Sequence, residues 1–269
     1  MNTRKVIALF CVAGLVPACE KVIDIELNEA NKQTVVEAVI KDKMGENYVL
    51  LSESIDVYAD NTFPVISDAF ITVRDEVGNV YVFEEIDSIP GKYTCPTLEA
   101  LPGKQYSLEI NIDGKIITAS SITNSEPLID SLSIISDDFG LAEFLGFSPN
   151  QISYNSTDPG DEANYYHAYI WLNGVPSQFL YIGHDEHING QHYNAPFIGD
   201  LAHDGDSVKV VLESLDKALY DYLYSFANQD NSSPFSASPG NPVSNVIGDN
   251  TVGYFAATLS DTTEIVVPE

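Results

Sequence analysis

From Thr34 onward the apolar residues of this chain recur with a period of two, a pattern that strands satisfy and helices do not. Thr34-Val35-Val36-Glu37-Ala38-Val39-Ile40 is the first such run. Tyr48 to Ser52, Ala69 to Arg74, Val80 to Glu84, Tyr106 to Ile112 and Lys115 to Ser120 follow. Turn signals stand between them at Met44-Gly45, Val77-Gly78-Asn79, Pro90-Gly91, Pro102-Gly103 and Asp113-Gly114. Asp-Gly accepts positive φ at both positions, so it predicts a tight hairpin. Strands at this spacing, with no helical pattern between them, predict an antiparallel sandwich over residues 34–125.

Residues 126–269 read as a second β-rich unit. Pro127 to Ile135 carries the chain across, and Phe139 to Phe147 is apolar without a clear period. Strands are expected at Gln151 to Tyr154, Tyr165 to Leu172, Phe179 to Ile182 and Val208 to Leu212. One helix is expected near 214–228, where Leu215, Leu219, Tyr222, Leu223 and Phe226 fall at helical spacing. Asp216 suits its start and Asn228 its end. Ser232 to Pro242 reads as a loop, and Val252 to Leu259 with Thr263 to Val267 as a final hairpin turning at Ser260-Asp261-Thr262.

The first 18 residues read as an address. Arg4 and Lys5 precede an apolar stretch, Val6 to Val16, that is too short to span a bilayer. Val16-Pro17-Ala18-Cys19 then resembles a bacterial lipobox. That resemblance implies cleavage before Cys19, lipidation of Cys19, and a tether over residues 19–33 that anchors the chain to a membrane face. An ordinary secretory peptide cut near Ala18 is the alternative. Cys11 would leave with the address, so Cys95 would have no disulfide partner; its place in a strand-like run marks it as a small buried hydrophobe.

Charge narrows the partners. The net charge is −28, from 40 Asp and Glu against 12 Lys and Arg, and losing Arg4 and Lys5 would take it to −30. No basic stripe exists to neutralise phosphates, which argues against nucleic acid. The deficit of cations is uneven: no Lys or Arg occurs between Lys115 and Lys209.

Two resemblances follow from residue order. Gly91-Lys92-Tyr93 with Leu101-Pro102-Gly103-Lys104-Gln105-Tyr106-Ser107-Leu108 resembles transthyretin-like or immunoglobulin-like modules of bacterial surface proteins, which implies a sandwich. Longer pieces run through the chain. The early ones are Cys19-Glu20-Lys21-Val22-Ile23-Asp24, Val35-Val36-Glu37 and Pro64-Val65-Ile66-Ser67-Asp68-Ala69. The late ones are Gly205-Asp206-Ser207-Val208, Pro239 to Val246 and Gly253-Tyr254-Phe255. Together they resemble the outer-membrane lipoprotein family known only as a domain of unknown function, family 4249. The resemblance implies a lipoprotein of the bacterial outer membrane, on its surface or periplasmic face, often encoded beside a TonB-dependent transporter. It supplies no catalytic residues.

Three constellations are candidate sites. His167, His184, His187, His192 and His203 lie within 37 residues. His184-Asp185-Glu186-His187 with His192, His203, Asp204 and Asp206 offers imidazole and carboxylate for zinc. An exposed polar loop over His184 to Asn194 explains the same residues. The acidic turns Asp158-Pro159-Gly160-Asp161-Glu162 and Asp204-Gly205-Asp206 offer oxygens to calcium, or are simply turns. On a strand, Tyr165, His167, Tyr169 and Trp171 share one face. That face is either an aromatic platform for a ligand or a buried face beneath the helix.

These readings converge on a lipid-anchored envelope protein that binds a ligand or partner, without catalysis, beside a TonB-dependent transporter. A zinc- or calcium-dependent binding protein using residues 158–206 is the alternative, and a metal-assisted hydrolase the third.

Overall fold

A computed structural model describes residues 32–55, 62–136, 150–160, 162–228 and 242–268. The address, Cys19, nearly all of the tether, Phe139 to Phe147 and all but the end of Ser232 to Pro242 therefore lie outside the described residues. The fold is mainly β with one helix among them. The first strands are β1 (Thr34–Lys41), β2 (Tyr48–Glu53), β3 (Phe70–Asp75), β4 (Val80–Ile86), β5 (Ile89–Thr94), β6 (Gln105–Ile112) and β7 (Lys115–Ile122). There follow β8 (Ile129–Ser136), β9 (Asn150–Thr157), β10 (Tyr165–Leu172), β11 (Val175–Pro176), β12 (Tyr181–His184), β13 (His192–Ala202) and β14 (Ser207–Leu215). Helix α1 (Lys217–Ala227) and β15 (Thr251–Val266) complete the chain.

Twelve strands join in one sheet, ordered β11-β10-β14-β15-β1-β2-β5-β4-β3-β6-β7, with β12 on the free side of β10. A second sheet of three strands is ordered β13-β9-β8. Alternation decides which side chains go inward. Val36, Ala38 and Ile40 of β1 share one core with Ile71, Leu108, Ile110 and Ile117 from the far end of the sheet, so the sheet closes on itself as a sandwich. Tyr166, Ala168 and Ile170 of β10 meet Ile152, Tyr154 and Phe197 of the small sheet in a second core. Each fully buried Ile, Leu or Phe contributes about 1.5–3 kcal/mol.

The Asp113-Gly114 hairpin forms as expected, with φ of 51° and 88°. Helix α1 forms between the expected ends. Asp216 caps it, one carboxylate oxygen accepting from the Leu219 N–H at 2.8 Å and the other from the Ser121 hydroxyl. Asn228 closes it by donating to the Tyr224 carbonyl at 2.8 Å.

Four expectations are corrected. Pro90-Gly91 is not a turn but part of β5; the turn falls at Asp87-Ser88, and Gly91 lies at φ 77° where the Leu51 backbone and Val65 crowd its Cα. Pro127 to Ile135 is not a bare crossing, because Ile129–Ser136 pairs with β9. His184 to Asn194 is not all loop, since β13 begins at His192.

The last correction concerns the C-terminal hairpin, which is one unbroken strand. β15 pairs in parallel with β1 from Thr251 to Thr258 and antiparallel with β14 from Leu259 to Val266. Two of the side chains that would have bent Ser260-Asp261-Thr262 are engaged elsewhere, the Ser260 hydroxyl donating to Asp42 at 3.1 Å and Asp261 reaching β8. Asp42 accepts from the Ser260 N–H at 2.8 Å, and Asp261 accepts from the Ile129 N–H at 2.7 Å.

Residues Lys32–Glu269 fall in one compact unit. The boundary drawn at residue 125 lies between β7 and β8, and β15 crosses back over it. Phe255, Ala257 and Leu259 enter the first core, Ala256 packs with Leu215 and Leu219, and Ile265 packs on the second core. Gly253 makes the parallel contact with β1 possible: at φ 130° it lies against Val36, and any Cβ there would overlap the Val36 carbonyl oxygen.

Candidate functional site

The outward face of β10 carries a row of rings, as its alternation predicts. His167 and Tyr169 have centroids 3.8 Å apart, and Tyr169 stacks on Trp171 at 5.8 Å. Tyr165 leaves the row to meet Tyr220 of α1 at 4.9 Å. Trp171 lies half-buried at the other end, with Lys209 Nζ 5.5 Å from its ring. The reading of this face as buried beneath the helix is met over its middle. Leu219 and Leu223 of α1 cover its middle, yet the cover leaves a pocket of about 210 Å³.

That pocket is built from strands far apart in sequence. Lys41 arrives from β1, Tyr48 from β2, His167 and Tyr169 from β10, Glu213 from β14, and Tyr254 and Thr258 from β15. Lys41 Nζ donates to Glu213 Oε1 at 2.7 Å, and the Tyr169 hydroxyl donates to Glu213 Oε2 at 3.0 Å. Burial alone would lower the lysine's pKa, but the carboxylate beside it outweighs burial and holds it raised. Burial pushes the Tyr48 and Tyr254 hydroxyls above their ordinary range. Burial, and then the Glu213 charge, push the Tyr169 hydroxyl far above its ordinary range.

His167 is 8% exposed and lines the pocket. Burial first, and then the Lys41 charge, lower its pKa from 6.5 to about 4. The imidazole is therefore neutral at neutral pH, with one donor and one acceptor to offer. Thr258 is 1% exposed, and its hydroxyl is without a partner among the described residues. An unmatched buried polar group costs about 1–3 kcal/mol, so the Thr258 hydroxyl beside this cavity lacks its complement.

Two further openings flank β10. A cleft of about 630 Å³ lies between α1 and the turn after β12, edged by Tyr165, His184, Asp185, Tyr220 and Tyr224. Its one lysine, Lys217, is held by Asp221 one helical turn away at 2.6 Å. A groove of about 450 Å³ lies between β12 and β13. Its rings belong to the second core and close on each other, Tyr181 edge-on to Phe197 at 4.9 Å, so we regard it as the seam between the two sheets.

The metal candidates are not brought together. His184 sits edge-on to Tyr220, with its Nδ1 3.8 Å from Glu186. His187 is exposed on the following turn. His192 lies 3.4 Å from Asp130 at the start of β13. His203 is exposed on the β13–β14 turn, where its N–H donates to Asp206. Asp206 also accepts from Asn173, and Asp204 accepts from Asn150. Asp158 of the other acidic turn accepts from the Tyr166 hydroxyl at 2.6 Å and the Gly190 N–H at 3.0 Å, while Asp161 lies outside the described residues. Among the described residues no three His, Cys, Asp or Glu side chains are placed to hold a metal ion. Cys95 is buried and free, as its strand position suggested.

Sequence reasoning named His167 and Tyr169 but missed Lys41, Tyr48, Glu213, Tyr254 and Thr258. One signal was present: Glu213 is a lone acid inside the apolar run Val208 to Leu215, and Lys41 closes the apolar run of β1. A charge on the inward side of a strand needs a partner, and here each is the other's.

Fold and site together define a class: a closed β-sandwich extended by a smaller β-layer, with a polar pocket between the large sheet and the helix that covers it. The family model for a domain of unknown function, DUF4249, matches residues 20–264, and the chain belongs to that family. No curated protein is detectably similar to it. Among the described residues no helix is long and apolar enough to cross a membrane.

Proposed function

We propose that this chain is a lipid-anchored protein of the bacterial outer membrane that captures a ligand, without catalysis, as an accessory of a TonB-dependent transporter. The observation that carries the capture is the pocket beneath α1, which His167 and Thr258 line and where the buried Thr258 hydroxyl has no partner. Lys41 and Glu213 are engaged with each other, which leaves no activated nucleophile in it. The lipobox-like Val16-Pro17-Ala18-Cys19 supports the anchor. The transporter rests on the family resemblance, and the immunoglobulin-like character of the first sandwich rests on the resemblance of Gly91-Lys92-Tyr93 and Leu101 to Leu108.

Extraction of native membranes in mild detergent, followed by pull-down of the tagged chain, tests this reading. The transporter should be recovered in stoichiometric amount, and Cys19→Ser should move the chain into the soluble fraction. A Cys19→Ser chain that stays membrane-bound, or a wild-type chain recovered alone, overturns it.

A further inference from the structure

We infer that the pocket beneath α1 takes a small, neutral, polyhydroxylated molecule about the size of one hexose; the inference rests on the ligand-capture reading above. The argument begins with charge. Lys41 and Glu213 neutralise each other at 2.7 Å, and the Tyr169 hydroxyl occupies the second Glu213 oxygen. An ionic ligand would have to break that pair to be matched, leaving a charge buried against Glu213, which is 4% exposed. The polar groups that line the rest of the pocket beside the helix are neutral: the His167 imidazole and the Thr258 hydroxyl, which is buried without a partner. Each can both donate and accept. The group that answers both demands is another hydroxyl.

Shape and walls agree with this. A volume of about 210 Å³ is below the range of drug-sized pockets and holds roughly a dozen non-hydrogen atoms, or about seven waters. Tyr169 and Tyr254 line the pocket, and Leu219 and Leu223 supply an apolar side, which suits a molecule with C–H faces and hydroxyl edges. Lys41, whose side chain is 26% exposed, marks the mouth.

The chain contains one tryptophan, Trp171, and it stacks on Tyr169 of the pocket wall. Its fluorescence therefore reports on occupancy. The test titrates the full-length protein with glucose, galactose, mannose and myo-inositol, and with gluconate and glucosamine as charged comparators. At least one neutral compound should bind with Kd at or below about 1 mM and shift Trp171 emission, while its charged counterpart binds at least about tenfold more weakly. Thr258→Val keeps the side-chain shape and removes only the hydroxyl; it should weaken binding about tenfold without lowering Tm. His167→Phe should abolish binding.

Silence across the panel, equal affinity for charged and neutral compounds, or affinity unchanged in Thr258→Val would each overturn the inference. A chain that still recovers the transporter but binds no neutral polyol removes this inference and leaves the accessory reading standing. Polyol binding by a chain recovered without the transporter does the reverse.

Discussion

Lys41 and Glu213 stand 172 positions apart in sequence and 2.7 Å apart in space, reaching toward each other across β15. The pair fastens β1 to β14, two strands that never exchange a backbone hydrogen bond. Removing one partner leaves the other charge buried without compensation. Lys41→Met is expected to cost about 3 kcal/mol in chemical denaturation, because Glu213 keeps only the Tyr169 hydroxyl. Lys41→Met with Glu213→Leu should recover much of that loss. A double variant as unstable as the sum of the two single ones would show that the pair is not coupled.

His167 predicts a pH dependence. The unfolded chain protonates it near 6.5, and the folded chain only near 4. Above pH 6.5 the ring is neutral in both states and pH has no effect through it. As pH falls from 6.5 toward 4 the unfolded chain takes the proton first, so stability drops, by about 3 kcal/mol at full extent. Lys41, Glu213, Tyr48, Tyr169 and Tyr254 face the ring, and only Lys41 contributes a charge that disfavours the proton. His167→Gln should remove this component. The stability difference between wild type and variant should be flat above pH 7 and change steadily below 6.5; a difference constant down to pH about 4.5 contradicts the assignment.

The Tyr166 hydroxyl holds Asp158, and Asp158 holds Gly190, so the turn after β12 is pinned from inside. Tyr166→Phe should cost about 1–3 kcal/mol by leaving a buried carboxylate short of a donor. Asp158→Ala should release the turn as well, read as faster amide exchange at Gly190 and cleavage by protease between His184 and Gln191. If exchange at Gly190 is equal in wild type and Asp158→Ala, the turn is held by other means.

Gly253→Ala should be among the most damaging single substitutions in the chain. The added methyl meets the Val36 backbone, which cannot move without parting β1 from β15. A loss of at least about 3 kcal/mol, or failure to fold, is expected. Gly114→Ala is the comparison: it too has positive φ, but nothing lies within 4 Å of the new methyl, so its cost should stay near 1 kcal/mol.

The strands legible in the sequence were those with clean alternation between turn signals, β1 to β4, β6, β7, β9, β10 and β14. β5 was hidden because Pro90-Gly91 has the composition of a turn and is used as an irregular strand. Asn173-Gly174 carries the same signal as Asp113-Gly114 and closes β10 onto β11, a hairpin readable in advance and passed over. β15 was misread because Ser260-Asp261-Thr262 has turn residues, two of whose side chains are claimed by β1's loop and β8. Half of the pocket was out of reach for a different reason. Alternation tells which residues share a face, but not which strands become neighbours, and the pocket is made of neighbours.

β15 also fixes when the molecule can form. Ala38 and Val39 of the first strand find their partners in Phe255 and Ala256, near the end of the chain. No earlier segment completes either core, and closing so long a loop is slow. A chain interrupted before Thr251 would hold an open sandwich edge, an uncovered helix and an incomplete pocket. A polypeptide still lacking β15 is therefore expected to be without a stable fold, because its first strand has no partner on one side.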